Sequence, residues 1–255
     1  MNDENKDIIG EPFDFKKYLD SKYPLLEVFR EKTPGTYKHS QNVSLLCESV
    51  ALGLDLNVDE MKVIGLYHDI GKMNFPENFS ENQNGTNVHD DLDPFVSYHL
   101  ITRHIGDSAV ILLNKTDLPR DIISKITEHH GNTVLQYFYE KSGSSTQEVY
   151  RYKCSPPTTI ESTVLMLCDS IDATARALAS ANELNTAEDR KSVVSNTLNR
   201  LMDDDQLDGM TVGSIKIIRR VLLRELETIY HKREVYGNEK KEVVNEDSVR
   251  IEEKE

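Results

Sequence analysis

Apolar residues fall at roughly helical spacing along most of this chain. Phe15, Tyr18, Leu25, Leu26 and Phe29 mark such a stripe over residues 14–31. Comparable stripes predict helices over 36–54, 58–69, 94–114, 119–130, 159–181, 187–203 and 211–233. No segment alternates apolar and polar residues with β-branched enrichment, which a half-buried strand would need. The pattern therefore predicts an all-α fold.

Turn-forming and polar residues between the stripes predict where the helices begin and end. Asn57, with Glu60 three positions later, resembles a capping box for the following helix. We expect Gly71 to end that helix, and we expect a break near Gly106 in the helix over 94–114. Residues 73–92 are rich in Asn, Pro and Gly and predict an irregular segment, called the flap below. A loop is predicted over 142–158.

The two ends of the chain differ from its middle. Hydrophobic residues make up 38% of the sequence, and the shortfall lies mostly at the ends, so the middle can bury a sizeable core. Residues 1–12 are polar and acidic and are predicted to be disordered. Residues 238–255 are predicted to be a charged tail. One domain is therefore predicted over 13–237.

Charge and cysteine content narrow the classes of function. The formal net charge is −14, a poor match for duplex nucleic acid, which favours a basic face. A small anionic substrate remains compatible if bound cations invert the local field. Three cysteines without a CxxC pair indicate reduced thiols in a cytoplasmic protein. We expect no signal peptide and no membrane span, because no apolar run approaches 18 residues.

Three polar signals interrupt the apolar pattern. His68 and Asp69 lie at a predicted helix end and are followed by Ile70-Gly71-Lys72, and His129-His130 lies at another helix end. Asp169 follows the apolar residues 164–168, where a carboxylate is costly unless it is paired, hydrogen-bonded or metal-bound. Each signal alone is weak, because capping or surface hydration also explains it. Together, imidazole and carboxylate favour iron, manganese or zinc over calcium.

The three signals lie within a series of segments that resembles a known protein family. The segments are TPGTYKHS at 33–40, YHDIGKM at 67–73, ENQ at 81–83, EHHGNT at 128–133, YFY at 137–139 and LCDSID at 167–172. In this order they resemble the HD domain of the seven-transmembrane-receptor HD family, and the likeness covers roughly 20–237. The resemblance implies that the fold is an HD-domain helical bundle and that the activity is that of a cyclic di-AMP phosphodiesterase. The membrane spans and extracellular region of that family are absent from this sequence, so we expect a stand-alone form.

The resemblance also implies a ligand set for two divalent transition-metal ions, iron or manganese. The ligands are His39, His68, Asp69, His104, His129, His130 and Asp169. One ion would be held by His39, His68, Asp69 and Asp169. The other would be held by Asp69, His104, His129 and His130, with Asp69 bridging the two.

Further residues are predicted to act on the substrate. Asp69 and Lys72 are the predicted catalytic residues, and Lys72, if it is not simply solvated, would neutralise a substrate phosphate. Asn82 in the flap is a predicted substrate contact, and Arg151 is a predicted phosphate or base clamp. Asp172 is interpreted either as a hydrogen-bond partner of a ligand or as a surface residue.

The predicted reaction is hydrolysis of a cyclic dinucleotide. The metals would lower the pKa of a bridging water and place the hydroxide for in-line attack on phosphorus, so that cyclic di-AMP becomes pApA. The GYP signature is missing after His130, which disfavours cyclic di-GMP. The open alternatives are another cyclic oligonucleotide or a mononucleotide as substrate, a di-iron oxygenase, and a catalytically idle nucleotide-binding regulator.

Overall fold

The computed structural model describes residues 13–83, 85 and 87–246, with side chains up to residue 230. The predicted disordered segment 1–12 lies outside the described residues. The last nine positions of the predicted tail, 247–255, lie outside them as well.

The described chain is built from α-helices joined by short 3-10 segments and loops. The helices are α1 (Pro24–Lys32), α2 (Pro34–Leu54), α3 (Val58–Tyr67), α4 (Pro94–Thr102), α5 (His104–Lys115), α6 (Arg120–Thr127), α7 (Gln136–Ser142), α8 (Ile160–Ser180), α9 (Ala187–Asp203) and α10 (Val212–Glu246). Within the described ranges, β-pairing is limited to one antiparallel bridge between Val134 and Arg151. The predicted all-α fold is confirmed.

Helix α2 lies at the centre of the core. It packs against α1, α3, α8 and α10, and its Val43, Leu46 and Val50 are fully buried. Burying a side chain of this size stabilises a fold by roughly 1.5–3 kcal/mol relative to exposing it. Gly65 of α3 allows close contact with α2, because a Cβ there would lie 2.8 Å from the Cα of Ser44. The apolar stripe of α2 thus fixes the helix that carries His39.

The predicted helix over 14–31 is wrong as a continuous element. The structure has a 3-10 segment at Lys16–Leu19 and begins α1 only at Pro24. Proline lacks an N–H group and disfavours helical geometry in the residue before it, so it suits the first turn of a helix and interrupts a helix elsewhere. The apolar spacing was correct, but Pro24 decides where the helix starts.

Two other predicted boundaries differ from those in the structure. The break in the segment 94–114 occurs at Arg103, not near Gly106, and His104 begins α5. Helix α3 ends at Tyr67, before Gly71. Gly71 instead lies in a 3-10 segment pressed against α5, where a Cβ would lie 2.0 Å from the carbonyl oxygen of His104. This contact joins the His68-Asp69 turn to α5.

The flap is irregular, as predicted, and it docks onto the start of α2. It begins within the 3-10 segment Ile70–Asn74 and contains two more such segments, at Pro76–Asn78 and Ser80–Asn82. A Cβ on Gly35 would lie 1.8 Å from the carbonyl oxygen of Glu81, so only glycine allows this approach. The flap is therefore held close to the helix that carries His39.

The C-terminal helix is longer than predicted. Helix α10 extends to Glu246, beyond the predicted end at 233 and into the segment predicted as a charged tail. Among the described residues, no helix combines the length and the apolar character needed to cross a bilayer.

Candidate metal centre

The seven predicted ligands come from five parts of the fold and meet in one place. His39 lies within α2, His68 and Asp69 follow α3, His104 begins α5, His129 and His130 follow α6, and Asp169 lies within α8. Their ligand atoms form three overlapping groups, each with its atoms within 4.8 Å of one another. The groups are His104 with His129 and His130, His39 with His68 and Asp169, and His68 with Asp69 and His129.

Asp69 lies between two sets of histidines. Its Oδ1 is 3.4 Å from Nε2 of His104 and 3.8 Å from Nε2 of His129. Its Oδ2 is 3.3 Å from Nε2 of His68 and 3.8 Å from Nε2 of His39. Each carboxylate oxygen therefore faces a different set, which is the arrangement required of a carboxylate that bridges two cations.

Asp169 completes one of these sets. Its Oδ1 lies 2.9 Å from Nε2 of His39 and 3.5 Å from Nε2 of His68. Its Oδ2 lies 3.7 Å from Nδ1 of His130. Asp169 is almost fully buried in α8, so the carboxylate in the apolar run is directed at the histidines and away from solvent.

Helix ends set the orientation of three imidazoles. In His68, His104 and His129, Nδ1 donates to the carbonyl oxygen of the residue three positions earlier, at 2.9, 2.6 and 2.7 Å. Carbonyl groups in the last turn of a helix lack an intrahelical partner and are available for this bond. The bond fixes the tautomer and directs each Nε2 toward the cluster. A histidine just after a helix end is thereby oriented by its own local sequence.

His39 lies in the middle of α2 and needs a different partner. Its Nδ1 donates to Oδ2 of Asp172 at 2.7 Å. The other oxygen of Asp172 accepts hydrogen bonds from Nδ2 of Asn42, at 3.1 Å, and from the hydroxyl of Tyr230, at 3.3 Å. Asp172 is fully buried, so it is a hydrogen-bond partner of the cluster and not a surface residue.

The residues present fit transition-metal ions. Nε2 of His68 and Oδ1 of Asp69 are buried and have no hydrogen-bond partner among the described residues. Leaving such groups unsatisfied is costly, and metal coordination is a common way to satisfy them. Imidazole nitrogens with carboxylate oxygens are the donor set that iron, manganese and zinc prefer.

The electrostatics of the cluster favour cations. Burial lowers the pKa of His129 to about 3 and holds the pKa of His130 well below its usual value, so both are neutral, as metal ligands must be. Burial alone would raise the pKa of Asp69, but Lys72 and His68 outweigh it and hold that pKa well below its usual range. Burial likewise opposes protonation of His68, yet Asp69 and Asp169 raise its pKa to about 10. A metal ion bound to His68 would take the place of the proton that Asp69 and Asp169 stabilise on its imidazole.

Lys72 joins the cluster to the flap. Its Nζ lies 2.7 Å from Oδ2 of Asp69 and 2.9 Å from Oε1 of Glu81. Glu81 is largely shielded from solvent, which would raise its pKa, but Lys72 outweighs this effect and lowers the pKa to about 2. The ammonium group therefore lies between two carboxylates, beside the oxygen that faces His39 and His68.

The two other predicted substrate contacts have partners within the protein. Asn82 accepts the backbone N–H of Thr36 at 3.2 Å and donates to its hydroxyl at 2.8 Å. Arg151 forms a two-point ion pair with Asp204, at 2.9 and 3.2 Å, and a further bond to Glu148 at 2.9 Å. Roles for Asn82 and Arg151 in substrate binding remain predictions.

Tyr152 lies beside the cluster, and no role was predicted for it from the sequence. Its ring stacks on that of His130, with centroids 4.4 Å apart and planes at 26°. The backbone N–H of Tyr152 donates to the carbonyl of Thr133 at 2.9 Å, which places the loop beside the histidine pair. The neighbouring Arg151 was predicted as a substrate contact, but the spacing of residues along the sequence did not indicate that Tyr152 stacks on His130.

A model of the HD domain family matches residues 36–174, which is more than half of the chain and includes all seven predicted ligands. The chain is 36% identical over 229 residues to the cyclic-di-AMP phosphodiesterase PgpH of Listeria monocytogenes, covering 86% of this chain and 31% of that protein. It is 31% identical over 228 residues to PgpH of Bacillus subtilis, covering 87% and 31%. The chain thus spans about a third of the length of these relatives.

The fold also resembles a solved structure with a bound nucleotide. The crystal structure of the L. monocytogenes PgpH HD domain in complex with cyclic-di-AMP superposes with a TM-score of 0.75 and 35% identity. The match covers 81% of this chain and 98% of that one.

Proposed function

The chain belongs to the HD domain family, and from this premise we propose that it is a dinuclear-metal phosphodiesterase that hydrolyses cyclic di-AMP to linear pApA. The observation that carries the proposal is the position of Asp69, whose two oxygens face two sets of histidines. The likeness to PgpH supports the choice of substrate, because that protein is named for its action on cyclic di-AMP.

The proposal assigns two divalent transition-metal ions, iron or manganese, to the cluster. His39, His68, Asp69 and Asp169 would hold one ion, and Asp69, His104, His129 and His130 would hold the other. Bound there, the pair would supply activation of water and neutralisation of charge at the phosphodiester.

Side chains in and around the cluster would help to bind the phosphodiester and to orient the metal ligands. Lys72 would favour the binding of phosphate oxygens, because its side chain is only 12% exposed and its charge is poorly screened by water. His130 is the most exposed of the seven ligands, with 23% of its side chain accessible, so it marks the side from which a substrate can approach. Asp172 would hold His39 in the tautomer that presents Nε2.

No protein nucleophile is required for this reaction. Water would form the new bond to phosphorus, and the 3′-oxygen would leave and take up a proton, giving a linear dinucleotide. The likeness to PgpH favours a phosphodiesterase over the alternatives of an oxygenase and an idle regulator. The three cysteines are free, which suits a cytoplasmic location, and we include that location in the proposal.

The substrate assignment is tested by initial rates on cyclic di-AMP and cyclic di-GMP with one preparation of metal-loaded protein. We expect faster hydrolysis of cyclic di-AMP, with pApA identified by mass spectrometry. Faster turnover of cyclic di-GMP, or cleavage of some other cyclic nucleotide alone, would refute the choice of substrate and leave a phosphodiesterase. Absence of any hydrolysis would refute the activity.

A further inference from the structure

A groove between α9 and α10 collects positive charge on an acidic chain. It has a volume of about 500 Å³ and is called the basic groove here. Its lining contains six cationic side chains: Arg190, Lys191, Lys216, Arg219, Arg220 and Arg224. Glu227 is the one acidic residue among the described side chains of that lining, although the chain carries 44 acids against 30 bases. No ligand of the metal centre lines this groove.

Helical spacing explains why these side chains converge. Residues 216, 219, 220 and 224 are three, four and eight positions apart, so they share one face of α10 over a length of about 12 Å. Arg190 and Lys191 face them from the first turns of α9, where the helix dipole adds positive potential. Basic residues at this end of a helix weaken it, so the stability of α9 does not account for their position.

Among the side chains that the structure describes, few acidic groups pair with the exposed cations of this surface. Lys191 pairs with Glu188 at 3.1 Å and Arg224 pairs with Glu225 at 2.8 Å, both in exposed positions where ion pairs contribute little. Lys216, Arg219 and Arg220 form no ion pair with any residue that the structure describes. Like charges at three- and four-residue spacing repel one another. A bound anion would relieve that repulsion.

The lining indicates the chemistry of the anion. Four of the six cations are arginines, whose planar guanidinium groups bind phosphate oxygens in pairs. The volume lies in the range of small-molecule sites and is too small for an extended protein interface. Among the described residues, the lining contains no aromatic ring on which a nucleobase could stack, and its apolar residues are Ala187 and Leu223. Such a groove recognises phosphate charge without reading a base.

We propose that the basic groove is a second anion site, separate from the metal centre, that binds a linear polyphosphate group, either as the free ion or as part of a nucleotide. Arg190 is buried at the groove and fixes one wall, while Lys216, Arg219 and Arg220 are exposed and meet the ligand from α10. The inference does not depend on the proposed phosphodiesterase activity.

The test is calorimetric titration of the full chain with inorganic triphosphate and, separately, with a nucleoside triphosphate. The test variant is Arg219→Glu/Arg220→Glu. The control is Lys22→Glu/Arg30→Glu, which makes the same charge change at two exposed positions of the same chain. We expect at least tenfold weaker triphosphate binding in the test variant and less than a twofold change in the control. The two ligands should bind within threefold of each other, and added salt should weaken both.

Because a metal centre also attracts phosphate, the titration is repeated in Asp69→Ala protein, where binding at the basic groove should persist. Triphosphate binding that is lost in Asp69→Ala but kept in Arg219→Glu/Arg220→Glu would overturn the proposal. Equal losses in the test and control variants, or a nucleotide bound more than tenfold tighter than the bare ion, would also overturn it. A protein that binds no triphosphate but self-associates in a salt-sensitive way, with the association abolished in the test variant, would also overturn the proposal. That result would assign the groove to a second copy of the chain.

Discussion

Asp172 accepts the Nδ1 hydrogen of His39 at 2.7 Å, and this bond turns Nε2 of His39 toward Asp169. The other histidines with a fixed Nδ1 use backbone carbonyls at helix ends, whereas His39 lies within α2 and has no such group to use. Its orientation therefore depends on one buried carboxylate in α8.

Replacing Asp172 by asparagine should weaken metal binding while preserving the fold. The amide keeps the shape of the carboxylate but removes the negative charge that supports His39 as a ligand. Loss of such a partner typically reduces metal affinity by about 10- to 100-fold. The measurement is competition with a chelator, with exposed Asp121→Asn as the control. Unchanged metal affinity in Asp172→Asn would show that Asp172 has only a packing role.

Replacing Lys72 by methionine should reduce turnover more than metal content. The ammonium group lies beside Asp69 and Glu81, and removing it deletes the charge proposed to meet the phosphate. We expect a fall in kcat of at least about 100-fold, the scale on which removal of a single charge-stabilising donor acts. Steady-state kinetics with parallel metal analysis would measure both quantities.

Lys125→Met is the matched control for Lys72. Lys125 is also a largely buried lysine, paired with Glu60, but it touches no ligand of the metal centre. It should change stability and leave kcat of the folded enzyme intact. Turnover of Lys72→Met within threefold of the unmodified protein would contradict a catalytic role for Lys72.

Replacing Gly71 by alanine should separate the His68-Asp69 turn from α5. A Cβ at this position would lie 2.0 Å from the carbonyl oxygen of His104 and 2.5 Å from the backbone nitrogen of Ser108, so backbone must move. Overpacking of this kind costs about 1–3 kcal/mol. We expect a lower midpoint in chemical denaturation and reduced metal occupancy, because His104 moves with α5.

Gly106→Ala, within α5, is the control and should have the opposite effect on stability. A Cβ there meets nothing within 4 Å, and alanine favours a helix by about 0.5–1 kcal/mol over glycine. Stability should therefore stay constant or rise. If both variants were equally stable, the contact between Gly71 and α5 would not constrain the fold.

The sequence predicted residues that the structure brings together, because local structure orients most of them. His68 and His129 follow the ends of helices whose apolar stripes are evident, and their Nδ1 atoms bond to carbonyls three residues earlier. Asp169 was visible as a carboxylate in an apolar run. The family resemblance added His39 and His104, whose own surroundings carry no distinguishing local pattern.

Contacts between distant segments were not predictable in the same way. Tyr152 reaches His130 because a single antiparallel bridge pairs two loops, and no periodicity signals such pairing. Arg151 pairs with Asp204, which lies 53 positions further along the chain. The break at Arg103 was also not evident from the sequence; it places His104 at the start of α5, with its Nε2 3.4 Å from Oδ1 of Asp69.

The most direct test of the dinuclear centre is the metal content of anaerobically purified, metal-replete protein, measured by elemental analysis beside Asp69→Ala. The helices rest on apolar stripes, so circular dichroism of the variant should remain helical. Because Asp69 faces both sets of histidines, the unmodified protein should hold close to two equivalents of transition metal, and Asp69→Ala should bind both weakly. A single equivalent in the unmodified protein, or an Asp69→Ala variant that keeps both ions tightly bound, would contradict the bridged two-metal site.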